Sequence, residues 1–301
     1  MFRPCLVLVL VTDAALVAAQ TRDQQAATDM LRASREVIRT AADADRIDTE
    51  HLVLYIDRGL LSADEERQFS VAVERGFVAA SEYLHRVYDV AKGTPKPAYY
   101  LTNRAGISHA GATTVFLFAQ RVVASPAIAI HESVHLLLIQ DPLAPRNRED
   151  LSPEEDARLT AASGVWLAEG LASFVADELA ARVNLAPTRL FFSGDNATVD
   201  EEARRWLGDP RGAKVAPFVG SRGVPDDFLA DRAHVAAPFY VLGQSLVKHM
   251  VQRTGIAVVV QLYEEHFNGT RPIEDDVKRV TGFDLQEWRQ NWLRAISAPV
   301  K

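Results

Sequence analysis

The segment that most restricts how this chain can fold runs from Ser125 to Leu138, where His131, Glu132 and His135 stand among Ile128, Ile130, Val134, Leu136 and Leu137. Ser125 is a good helix N-cap, Pro126 sits where a first-turn proline forfeits no intrahelical hydrogen bond, and Asp141-Pro142 provides a stop. The segment is therefore predicted to be a helix of about four turns. Residues four apart lie one above the other on a helix, so His131 and His135 share a face and can share a tetrahedral ion. Glu132 lies about 100° further round, beside that ion, where it can take a proton from an activated water. Unpaired polar groups in apolar surroundings cost roughly 1–3 kcal/mol each, and metal binding gives these three a reason to be there.

A second segment points the same way. Trp166-Leu167-Ala168-Glu169-Gly170-Leu171-Ala172-Ser173-Phe174 is an apolar helical pattern holding one acid and a glycine. Glycine inside a helix costs about 1 kcal/mol relative to alanine, so Gly170 implies the close approach of another backbone, which a helix lying tight against the histidine-bearing one would supply. Glu169 would then reach the same ion. Two nitrogens and one oxygen, with a fourth position left to water, make a catalytic rather than a structural zinc set.

Elsewhere the chain reads as mixed. Of its 301 residues 48% are hydrophobic and 24% charged, enough for a sizeable core, and the net charge of -7 without any basic stripe argues against nucleic acid as a partner. Arg3 and the apolar run Cys5–Val11, continuing to Ala19, have the pattern of a signal peptide at residues 1–19, with cleavage expected before Gln20. Export to the periplasm or the extracellular space follows as an expectation, with no stable membrane insertion after cleavage. Cys5 is the sole cysteine, so a chain cut there would have no thiol. Residues 20–48 read as a helical or flexible lead-in. His51–Ile56, Ala98–Leu101 and Thr114–Phe118 read as strands, Ala63–Val87 as a helix, and the chain from Ser125 onward as almost wholly helical. The expected class is α+β. Thr113–Phe118 is a candidate edge strand for pairing with an extended substrate.

The paired motifs resemble the gluzincin metallopeptidases, in particular the peptidase MA-like families with their HExxH and W-x-x-E-G-x-A signatures, carried here by His131–His135 and Trp166–Ala172. The likeness continues through Phe239–Val247, Thr254-Gly255, Gly282-Phe283 and Trp288–Trp292 and covers roughly residues 50–295. It implies a zincin (thermolysin-like) catalytic domain over residues 49–297, with a mixed N-terminal lobe at about 49–140 and a helical lobe at about 150–297. It further implies one zinc ion on His131, His135 and Glu169, Glu132 as general base, and a peptide or protein substrate. Tyr240 stands where these families carry the tyrosine that donates to the oxyanion, and His234 is the substitute donor. Two departures matter. The position one turn after Glu169, where the family carries an aspartate that orients a metal-binding histidine, is Ser173, with Asp177 a turn further on as a weak replacement. The glycine- and acid-bearing motif of the related aminopeptidases is absent between Ala105 and Ile130. Ser173 is also what favours the rival expectation, a secreted binding or scaffold protein with a vestigial zinc site. A zinc hydrolase of non-peptide amides is a third, since fold and metal do not fix the substrate.

Overall fold

The computed structural model describes residues 32–88, 95–104, 108–111, 113–138, 164–185, 197–228, 230–267, 269 and 271–297, with 22–23, 25–26 and 29–30. The expected signal peptide, its cleavage point and the stop at Asp141-Pro142 lie outside these residues. The α+β class is borne out: a five-stranded sheet in the front half is followed by helices.

The strands are β1 Asp45–Asp48, β2 Val53–Ile56, β3 Ala98–Thr102, β4 His109–Ala110 and β5 Thr114–Phe118. They lie in the order β1-β2-β3-β5-β4. β2, β3 and β5 run parallel, and the outer strands β1 and β4 run antiparallel to their neighbours. Thr114–Phe118 is therefore not the edge strand expected of it. β4 covers it, pairing His109 with Phe116 and Ala110 with Val115. Two strands had no sequence signal: Asp-Arg-Ile-Asp in β1 sets a single β-former, Ile47, between charged residues, and His-Ala in β4 is too short to show a period.

Alternation of side chains gives the sheet two different faces. Leu54, Ile56, Tyr99, Leu101, Val115 and Leu117 point into the main core. On the other face Tyr55, Tyr100, Phe116 and His109 stack in register across β2, β3, β5 and β4, with successive ring centroids 5.0, 5.3 and 4.7 Å apart. The lead-in, helical at 32–39, covers this row. Val37 is buried against Tyr100 and Phe116, and the Ser34 hydroxyl lies 2.8 Å from His109 Nε2. Its beginning reaches the segment before Arg232, where Arg22 pairs with Asp227 and the Asp23 carboxylate accepts from the Ala230 amide at 2.9 Å.

Against the core face lie α1 Ala63–Leu84 and α2 Ala127–Leu138. α1 starts at a capping box in which Ser62 and Glu65 satisfy each other's amides, and it buries Phe69, Val73, Phe77 and Leu84. Gly76 lets it come close to α2, since a Cβ there would stand 2.8 Å from Ile130. Every residue of α2 is buried. One expected detail fails at its start: Ser125 Oγ is buried without a hydrogen-bond partner, and it is the Ser125 carbonyl that accepts, from the Ile128 amide. The short helix Ala119–Val122, whose last turn leads directly into this segment, leaves the Ser125 side chain turned inward rather than over the first amides.

The helical part begins with α3 Val165–Ala180, then α4 Val199–Gly208 and the long α5 Ala237–Thr254. It ends with α6 Ile256–Phe267, α7 Ile273–Thr281 and α8 Leu285–Ser297. Gly170 does meet another backbone, though a different one from that expected. A Cβ there would stand 2.6 Å from the carbonyl oxygen of Gly243 in α5, and one on Gly243 would stand 3.0 Å from the Trp166 carbonyl of α3. α3 is thus held between α2 and α5. No helix among the described residues is long and apolar enough to cross a membrane.

Candidate metal centre

α2 and α3 bring three side chains to one point. His131 Nε2 and His135 Nε2 are 3.1 Å apart, Glu169 Oε2 is 3.2 Å from the first and 3.5 Å from the second, and all three lie within 4.8 Å of one another. This buried group could hold a metal ion. Its size fits one. Ligand atoms about 2.0–2.1 Å from a common ion, at the tetrahedral angle, stand roughly 3.3 Å from one another. The three measured edges bracket that value. Hydrogen bonding alone accounts poorly for the arrangement, because two imidazole Nε2 atoms facing each other can share only one proton.

The immediate surroundings support the triad. Ser173, one turn beyond Glu169 on α3, places its hydroxyl 3.3 Å from His131 Nδ1. It occupies the place expected of an aspartate and gives the His131 ring a hydrogen-bonding partner on the side away from the centre. Asp177 does not substitute, since its carboxylate accepts from the Gln244 amide of α5 at 2.9 Å. Below α2, Ser133 donates to the Ala129 carbonyl at 2.6 Å and receives Tyr99 OH at 2.8 Å, which ties the helix to β3.

Electrostatics separate the two carboxylates. Glu132 is 5% exposed, and burial pushes its pKa above the usual 4.5 despite the opposing charges of His131 and His135; Glu169 adds to the rise. Burial acts in the same sense on Glu169, yet there the charge of His135 and hydrogen bonds from both imidazoles prevail and hold it well below 4.5. Burial works against the His135 imidazolium, but Glu169, by charge and hydrogen bond, and Glu132 outweigh it and raise its pKa above 6.5.

Of the two candidate donors only Tyr240 is at the centre. Its ring centroid lies 6.0 Å from that of His131 and it stacks on Phe228 at 5.9 Å. Burial and the charge of Glu169 raise the Tyr240 phenol far above its usual pKa, so it keeps its proton. His234 is exposed and turned to Asp231, whose carboxylate takes both its amide and its Nδ1, at 3.1 and 3.0 Å.

One residue at the centre had no sequence signal. Arg232 lies with its guanidinium carbon 5.4 Å from the Tyr240 ring centroid, where Glu169 and Glu132 act on its charge. Eight residues of regular α-helix would leave it about 80° round from Tyr240. Residues Arg232–Ala236 form instead a π turn, whose extra residue reduces the offset to about 20°. A 3.6-residue period could not have aligned them. Comparison with known proteins adds nothing to this picture: no family model, no curated protein and no solved structure matches the chain significantly.

Proposed function

We propose that this chain is an exported zinc-dependent peptidase of the gluzincin type, with a zincin-like catalytic domain over residues 49–297 divided into lobes at about 49–140 and 150–297. The observation that carries this reading is the convergence of two imidazoles and a carboxylate, from separate helices, at the spacing of a tetrahedral ion's ligands. The likeness of the paired motifs to gluzincins adds the choice of zinc and of peptides. The Ser173 contact to His131 removes the main reason for regarding the site as vestigial.

His131, His135 and Glu169 would hold the ion. Zinc bound there supplies Lewis acidity and brings the pKa of water toward neutrality. Glu132 takes the proton of the attacking water on a carboxylate oxygen and delivers it to the leaving amine. Its raised pKa suits that work, because a base closer to neutrality both accepts and returns a proton readily. Tyr240, held protonated, donates its phenol hydrogen to the carbonyl oxygen as negative charge develops there. Ser173 orients the ring of His131.

The test is Glu132→Gln, assayed on a peptide library with metal content measured in parallel. Hydrolysis should fall by at least a thousandfold while bound zinc stays stoichiometric. Undiminished cleavage by the variant would remove Glu132 from the mechanism, and wild-type protein that binds no zinc would remove the peptidase reading itself.

A further inference from the structure

Arg232 is a cation in want of an anion. Among the described residues no carboxylate forms an ion pair with it, and its Nε–H is buried without an acceptor. The acids nearest in sequence are engaged elsewhere: Asp231 caps the π turn and holds His234, and Asp227 pairs with Arg22. The half-buried guanidinium instead hydrogen-bonds the neutral Tyr240 phenol, beside its ring, and lies in the field of Glu169 and Glu132. A divalent ion on the triad would neutralise those two carboxylates, and Arg232 would then leave one positive charge over, at the side of the centre where Tyr240 stands. A half-buried guanidinium whose partner is a neutral phenol keeps unused donors, and pairing it with a carboxylate through two parallel hydrogen bonds is among the stronger polar contacts available to a protein.

From this we infer that Arg232 is a specificity residue that binds a carboxylate of the substrate next to the bond being cut. The inference rests on the proposed hydrolytic reading and narrows it to acidic substrates. The carboxylate can come from two places, the free C-terminus of a peptide or an acidic side chain. Arg232 is built to read the shared group, a planar anion that accepts two hydrogen bonds.

Isothermal titration of the full-length, zinc-incubated protein distinguishes these sources. The probes are N-acetylphenylalanine and N-acetylphenylalanine amide for the terminal carboxylate, and N-acetylglutamate α-amide and N-acetylglutamine amide for the side chain. In the wild type one acid should bind at least tenfold more tightly than its amide. Arg232→Gln should bring that ratio to within about twofold, and Arg232→Lys should fall between, since an ammonium keeps the charge but not the fork. The pair that shows the Arg232-dependent preference identifies the source. An acid-to-amide ratio unchanged in both variants, or no preference in the wild type for either pair, overturns the inference. Zinc content and peptide cleavage measured on the same samples keep its failure separate from failure of the peptidase reading: an active zinc enzyme with no carboxylate preference loses only the role of Arg232.

Discussion

At the scale of single residues, the proposed metal centre depends on atoms that would not touch the ion. Ser173 holds His131 Nδ1 at 3.3 Å, and its loss frees the ring to turn. Ser173→Ala should weaken zinc binding about tenfold, the lower end of what such partners contribute, read by competition with a chromophoric chelator, with the unfolding midpoint of the metal-free protein nearly unchanged. Equal affinities in the two proteins would show that packing alone orients His131. The triad and the acid beside it were legible because the proposed chemistry demands fixed residue types at helical spacing, and His131, His135 and Glu169, with Glu132, have that pattern in plain view. Arg232 was illegible for the opposite reason. Its place depends on a π turn, which no side-chain period announces, so attention fell on His234, whose ring the same turn leaves outside on Asp231.

Between elements, the decisive contact is the one between α3 and α5. Gly170 and Gly243 let the two helix backbones meet, and this brings Tyr240, on α5, to the carboxylate of Glu169, on α3. Gly170→Ala gains up to about 1 kcal/mol of helix propensity but sets a methyl group 2.6 Å from a carbonyl oxygen that cannot turn aside. The expected net effect is a loss of about 1–3 kcal/mol in denaturant unfolding, together with weaker zinc binding as Glu169 is pushed from its partners. A stabilised variant would mean that the helices are not in contact in solution. From the sequence, Gly170 foretold a close neighbour but not which one, because a glycine marks the room for a backbone and not its owner. The strands were legible where they are aromatic or β-branched, as in Val115-Phe116-Leu117. Lying beyond local pattern was the pairing of His109-Ala110 onto β5, which took the edge away from Thr114–Phe118.

For the whole molecule, an ion on the triad would be a ligand of the folded state alone, since three side chains from residues 131 to 169 have no common point in an unfolded chain. At a free zinc concentration a thousand times its Kd the gain is about 4 kcal/mol, so chelation should lower the thermal midpoint by several degrees, as calorimetry would read it. The gain should shrink with acidity. His135 must shed its proton to bind, and its metal-free pKa is raised above 6.5, so uptake weakens as pH falls through that raised value, before an ordinary histidine would titrate. A zinc-dependent shift that is the same at pH 8 and pH 6 would contradict this. The start of the chain carries a different kind of consequence. Arg22 and Asp23 fasten to Asp227 and Ala230, more than 200 positions away, while Ser34 and Val37 fasten to the aromatic row across the sheet. A chain made from its amino end must therefore keep those residues waiting until the loop ahead of Arg232 has been synthesised, so this clasp can close only after about 200 further residues have been made.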